Sequence, residues 1–272
     1  MRPEAAGRGA GKCESKHMPF LQVRGLIKDF GSLRALHQVG IELDQGEVLG
    51  IVGPNGSGKT TFLNLLSGYY RPSQGEILFR GKAISRMRSD QIATMGIVRT
   101  FQSNVLYGDA TVVESVLRGC YLMAKTGLLQ AFFNTRTYSA EEKGLAQRAA
   151  EIAALFDLED VMEVPASLLP HGKQRALGIA MAFAAQPTVL LLDEPLAGMD
   201  FAQTQLVAQA IQRVIAEGMT VLLVEHNIPT LLSLCRRIMV LDSGRKIADG
   251  EPSDVINRRE VVEAYLGMDD DV

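Results

Sequence analysis

A chain of 272 residues, 47% of them hydrophobic and with a formal net charge of −3, is long enough to bury one large core or a core with a subdomain. Its apolar runs fall well short of the roughly 18 to 20 residues that a membrane-spanning helix needs, which excludes a chain that crosses a membrane on helices of its own. The mildly acidic balance offers no basic footprint for nucleic acid. Cys13, Cys120 and Cys235 are too few and too widely spaced for a disulfide frame or a metal site, and suit reduced cytosolic thiols.

Residues 1–17 contain Gly, Arg and Lys but no apolar stretch, so they read as a disordered leader rather than a secretory signal, with Met18 a candidate start. Strand-like alternation begins at Leu21-Gln22-Val23-Arg24. From there to Arg80, short strands and turns at Gly31, Gly46 and Gln74-Gly75 predict a core with an antiparallel edge. Within it, the apolar run Glu47 to Val52 leads directly into Gly53-Pro54-Asn55-Gly56-Ser57-Gly58-Lys59-Thr60-Thr61, a match to G-x-x-x-x-G-K-[ST]. The glycines let backbone N–H groups turn inward around phosphates, Lys59 reaches β- and γ-oxygens, and the Thr60 hydroxyl is a ligand for Mg²⁺. A helix starting near Lys59, with Phe62, Leu63, Leu65 and Leu66 apolar, points its positive end at the anion.

The pattern changes between about residues 106 and 186. Thr111 to Ala124 and Ala140 to Phe156 carry apolar residues at helical spacing, which predicts an inserted helical subdomain. Leu128, Leu129, Phe132 and Phe133 form an apolar cluster that reads either as internal packing or as a partner-facing patch. The core resumes at Val189-Leu190-Leu191-Leu192, an unbroken apolar run suited to a parallel strand covered on both faces. Asp193 and Glu194 follow it. Alone they read as a solvated turn. Beside a phosphate cradle, Asp193 is placed to hold Mg²⁺ and Glu194 to orient or deprotonate an attacking water. A helix at Phe201 to Ala216 and a strand at Met219 to Val224 complete the alternation, which implies a parallel sheet with nucleotide at its strand ends.

The remaining motifs resemble the ATP-binding cassette (ABC) family, from about Met18 to Gly267. Phe30 lies where that family has an aromatic stacking on adenine, and Gln102 in Arg99-Thr100-Phe101-Gln102 matches the glutamine joining the metal site to the helical subdomain. Asp193-Glu194-Pro195 matches its acidic strand end. Gly198-Met199-Asp200 falls at its dimer-contact loop, and His226 matches the histidine that contacts the γ-phosphate. Taken singly, Phe30 also reads as a core aromatic, Gln102 as a surface amide and His226 as a histidine satisfied at a strand end. The resemblance implies an α/β, P-loop NTPase domain of ABC type over residues 18–267, with a mixed sheet, an antiparallel edge and the inserted helical subdomain, and 268–272 as a tail. It implies ATP and Mg²⁺, the metal being held by Thr60, Asp193 and Gln102.

The family's Leu-Ser-Gly-Gly-Gln signature, which meets the nucleotide of the opposite subunit, is replaced here by Leu169-Pro170-His171-Gly172-Lys173-Gln174-Arg175. Pro170 has neither a hydroxyl nor an N–H, so two donors vanish at that position. Gly172 and the helix that follows still offer backbone donors, and Lys173 is a candidate to compensate. This suggests an asymmetric pair in which the chain caps its partner's nucleotide less well. Arg99 to Gln102, Ala197 to Asp200, Gly250-Glu251-Pro252-Ser253 and Ala264-Tyr265-Leu266-Gly267 resemble the ATP-binding subunits of bacterial branched-chain amino-acid importers. Importers for urea or other amides share much of the pattern. The implied partners are a second ATP-binding subunit in a heterodimer, two transmembrane permease subunits and, indirectly, a solute-binding protein, at the cytoplasmic face of the inner membrane. A soluble mechanical ABC ATPase and a silent regulatory cassette are the other classes. The first lacks its tandem cassettes or coiled-coil insertions here, and the second conflicts with the intact Lys59, Asp193, Glu194 and His226.

Overall fold

The structure, a computed structural model, describes residues 18–100, 109–121 and 136–266. The leader, Gln102, the cluster of Leu128, Leu129, Phe132 and Phe133, and the 268–272 tail lie outside those residues. Two sheets form the frame. Strands β1 (Leu21–Phe30), β2 (Leu33–Leu43), β4 (Gln74–Phe79) and β5 (Lys82–Ala83) make an antiparallel sheet in the order β2-β1-β4-β5. The second sheet has the order β10-β9-β3-β8-β7-β6, from β3 (Val48–Val52), β6 (Ile97–Arg99), β7 (Val189–Asp193), β8 (Thr220–Val224), β9 (Arg237–Asp242) and β10 (Arg245–Gly250). It is parallel except for β10 at its edge.

The apolar runs of the sequence explain this arrangement. All five residues of β3, of β7 and of β8 are buried, because strands in the middle of a parallel sheet are covered on both faces. Alternation sorts their side chains into two cores. Leu49, Ile51, Val189, Leu191, Leu222 and Val224 face the antiparallel sheet and helix α1 (Lys59–Leu66). Val48, Val52, Leu190, Leu192, Val221 and Leu223 face a helical layer on the other side. That layer includes α3 (Val112–Tyr121), α4 (Arg136–Leu155), α5 (His171–Ala184) and α6 (Phe201–Ala216); α2 (Ser89–Thr94) precedes β6.

Local chemistry sets several boundaries. Before α3, Thr111 Oγ1 accepts from the Glu114 N–H at 3.3 Å while Glu114 Oε2 accepts from the Thr111 N–H at 3.0 Å, a reciprocal capping box. Helix α6 has the bounds the sequence predicts and is capped by Asp200, whose Oδ1 accepts from the Gln203 N–H at 2.9 Å. Helix α4 begins earlier than the expected Ala140, since the polar residues at its start carry no apolar period. The strand expected to stop at Leu192 extends to Asp193, which pairs with Val224. The acid therefore belongs to a rigid strand rather than to the turn after it. The chain closes with α7 (Ile228–Leu234), α8 (Pro252–Val255) and α9 (Arg259–Leu266). Among the described residues no helix is long and apolar enough to cross a membrane.

Candidate functional site

The loop between β3 and α1 is shaped by backbone that only glycine tolerates well. Gly53 has φ 150° and Gly58 φ 102°. A Cβ on Gly53 would stand 2.0 Å from the Leu241 carbonyl oxygen, and one on Gly58 would stand 2.9 Å from that of Ala35. The loop is thus pressed between β2 and β9. Hydrogen bonds hold it there: the Gly244 N–H donates to the Ser57 carbonyl at 3.0 Å, and the His37 N–H donates to the Gly244 carbonyl at 2.8 Å. Pro54, Thr60 and Thr61 are half-buried, and Asn55 and Gly56 are exposed at the crest. Lys59 folds back beneath the loop and donates through Nζ to the carbonyls of Gly53 and Pro54, both at 2.8 Å. Burial pushes its ammonium below the ordinary range, against the opposing pull of Glu194 and Asp193.

Asp193 is buried beside this lysine. Its Oδ2 accepts from Arg99 Nη2 at 2.6 Å, and the other nitrogen of that guanidinium donates to Asn64 Oδ1 on α1. Burial pushes the Asp193 carboxyl up and Arg99 pulls it back. Its Oδ1 is buried without a hydrogen-bond partner among the described residues, as is Ser57 Oγ in the loop. An orphaned carboxylate oxygen next to a threonine-bearing loop is the hard oxygen donor set that Mg²⁺ prefers. Among the described residues no cluster of three His, Cys, Asp or Glu side chains is found that could hold a metal.

Glu194 is half-buried and left-handed, at φ 46°, an uncommon backbone for a residue with a side chain. Its N–H donates to the Val224 carbonyl at 2.9 Å, which clamps the strand end of β7 to that of β8. His226, two residues beyond Val224, is exposed, and Glu225 between them is fully buried. Glu225 Oε1 accepts from the Leu196 N–H at 2.8 Å and so ties the segment after Glu194 to the histidine turn. Burial raises the Glu225 carboxyl above its ordinary value of 4.5. A raised carboxyl favours the folded state fully below that value, and this contribution is lost as pH rises through the folded pKa. Glu225→Gln, which keeps the acceptor for Leu196, is therefore expected to raise Tm at pH 8 by roughly 2–4 °C per kcal/mol recovered and to leave it nearly unchanged at pH 4. Thermal melts at the two pH values check this; a lower Tm at pH 8 would contradict it.

Phe30 ends β1 with its ring 40% exposed, braced edge-on by Tyr70 at 5.1 Å and with Lys28 Nζ 4.8 Å from its centroid. It is a surface aromatic rather than a core one. Pro170 occupies the N-cap position of α5, where no side-chain acceptor is offered. Gly172 is buried against the first turn of α6, since a Cβ there would lie 3.2 Å from the Gln203 side chain, so the turn at Pro170 to Lys173 and the loop at Asp200 lie together. Lys173 Nζ is bound to Asp160 at 2.6 and 2.8 Å, which directs it to a partner within its own chain. Sequence reasoning gave no role to Arg99, Asn64 or Glu225. Arg99 was visible only as the start of the Gln102 motif, and its strand neighbours Asp193 only in the folded sheet.

The phosphate-type loop after β3 and the acidic end of β7, separated by β8 at the same edge of a parallel sheet, define a P-loop nucleotide-binding domain. Residues 36–197 match the ABC transporter family. The high-affinity branched-chain amino acid transport ATP-binding protein LivG of Escherichia coli is 37% identical over 254 residues, covering 92% of this chain and 98% of that protein. The corresponding BraF of Pseudomonas aeruginosa is 35% identical over 250 residues, again covering 92% and 98%. Among solved structures, the ADP conformation of an ATP-binding cassette of an ABC transporter superposes with a TM-score of 0.80 at 29% identity, covering 92% of this chain and 100% of that one. A nucleotide-free cassette gives 0.78 at 29% identity, covering 91% and 99%. The chain belongs to the ABC transporter family, as an ATP-binding cassette.

Proposed function

We propose that this chain hydrolyses ATP as the cassette of an importer that takes up branched-chain amino acids across a bacterial cytoplasmic membrane. The observation that carries the chemistry is the meeting of Lys59, at the start of α1, with Asp193 and Glu194, at the end of β7, whose charges oppose the burial that lowers the lysine. The branched-chain assignment is supported by relatives that are named for that transport and that match along nearly their whole length. Lys59 neutralises the β- and γ-phosphates, and the half-exposed Phe30 ring stacks on the base. Thr60, Asp193 and Gln102 would hold Mg²⁺, which would supply charge neutralisation for the phosphate oxygens. Glu194 accepts a proton from the attacking water, and His226 holds the γ-phosphate and positions that glutamate.

Two cassettes close around the nucleotides, and their closure and reopening move two permease subunits between access states. The second cassette is a different chain, and a solute-binding protein delivers cargo on the far side. The chain sits at the cytoplasmic face through the permeases. Pro170 makes the pair asymmetric, because it removes a hydroxyl and an N–H where the partner's nucleotide would be met. Pro170→Ser is expected to raise ATP turnover of the reconstituted complex, by up to about a hundredfold at the partner's site if one donor is restored. Unchanged turnover would contradict an impaired site. Loss of labelled leucine uptake in cells lacking this chain, restored by the wild type and not by Glu194→Gln, tests the function itself; retained uptake without the chain would overturn it.

A further inference from the structure

We infer that Arg99 is a positioning residue that sets the separation between Thr60 and Asp193, two of the protein ligands proposed for the metal, and thereby selects Mg²⁺ over a larger divalent cation. The inference rests on the proposed nucleotide site. Arg99 is the last residue of β6, in register with Leu191 of β7, and Asp193 lies two residues further along on the same face. That face looks toward α1, since Leu191 packs in the core that contains Leu63, Leu65 and Leu66. From α1, Asn64 meets the guanidinium. Asn64 stands one helical turn beyond Thr60, so the two share a side of the helix.

The guanidinium is therefore a cross-brace. One nitrogen holds Asn64 on the helix that bears Thr60, and the other holds Asp193 Oδ2 at 2.6 Å on the strand that bears the acid. The Arg99 side chain is 18% exposed and that of Asp193 0%, so the brace is largely screened from water. The pin on Oδ2 leaves Oδ1, buried and unpartnered among the described residues, as the oxygen free for a metal or its water. A planar guanidinium with two fixed anchors resists both approach and separation of the elements it joins. Mg²⁺ demands near-ideal octahedral geometry at about 2.0–2.1 Å, whereas Ca²⁺ accepts about 2.3–2.6 Å in flexible arrangements, so a rigid separation of ligands discriminates between them.

A simple counter-charge would act differently. Removing a positive charge shifts the affinity for both cations in the same sense, so the ratio of Mg²⁺ to Ca²⁺ isolates geometry from charge. The test is equilibrium binding of ATP to the full chain with Mg²⁺, with Ca²⁺ and with EDTA, for the wild type and Arg99→Met. The wild type is expected to bind ATP more tightly with Mg²⁺ than with Ca²⁺, and Arg99→Met to lower that ratio about tenfold while keeping the metal-free affinity, which also reports folding. An unchanged ratio, whatever the absolute affinities, would overturn the inference. If Arg99→Met loses metal-free binding, Asn64→Ala decides: it keeps the ion pair but frees the helix, so a lowered ratio supports the brace and an unchanged one overturns it. A wild type whose ATP binding shows no dependence on metal would overturn the nucleotide-site reading beneath it.

Discussion

Glu194→Gln is expected to bind ATP as the wild type does and to turn it over 10²- to 10⁴-fold more slowly, the range that a positioned general base supplies. The size of Gln matches Glu, so the clamp between the residue 194 N–H and the Val224 carbonyl is retained. What is lost is a proton acceptor at the acidic end of β7. The left-handed backbone at φ 46° aims this side chain off the line of β7, and a strained conformation of that kind persists only where surrounding contacts enforce it. Here they do: β7 is flanked by β6 and β8, and the next residues are tied to buried Glu225 through the Leu196 N–H. Single-turnover hydrolysis with separate measurement of ATP affinity checks the prediction. Turnover near the wild-type rate would remove Glu194 from the role of base.

Gly53→Ala is expected to abolish useful nucleotide binding and to destabilise the fold. The added methyl would stand 2.0 Å from the Leu241 carbonyl, and backbone on β9 cannot yield as the end of a flexible side chain can. Overpacking of this kind costs about 1–3 kcal/mol, and a side chain at φ 150° adds about 1–3 more. If relaxation of the loop absorbs roughly 3 kcal/mol of this, the affinity for ATP falls about a hundredfold. Lys59 is drawn into the same loss, because its ammonium is held by the Gly53 and Pro54 carbonyls that would move. Denaturant titration and nucleotide binding on the variant report the two effects. Alanine at 53 with unchanged affinity would show that the loop does not depend on this glycine.

The parts of the fold legible in the sequence were those written in contiguous residues. The loop from Gly53 to Thr61 carries its own conformation in its glycines, and the apolar runs of β3 and β7 state that both faces are covered. Helix α6 was bounded by its cap and its period. The separation into two sheets was not legible, because β1 pairs with β4 across more than 40 residues of intervening chain and pairing over such distances leaves no local pattern. The brace of Arg99 was hidden for the same reason: its partner Asp193 is 94 positions away. Glu225 carries no signal in the sequence, and only the folded chain shows that it is buried and accepts from Leu196.

Lys173 shows how packing decides between readings that composition leaves open. Beside Gly172 it was a candidate to replace the lost donors of Pro170. Its ammonium is instead engaged by Asp160, whose carboxyl Lys173 in turn lowers from its ordinary value. The pair is exposed at Asp160 and contributes little to stability. It does fix the direction of the lysine, and that leaves the backbone N–H groups at the start of α5 as the donors remaining at this turn.

The proposed function couples ATP turnover by this chain to import of a branched-chain amino acid. The most direct measurement is ATP hydrolysis by the complex with its partner cassette and permeases in lipid vesicles, with and without leucine and the solute-binding protein. Turnover is expected to rise with leucine, accompanied by leucine uptake, and to fall to background in Glu194→Gln. Hydrolysis indifferent to leucine, isoleucine and valine would contradict it.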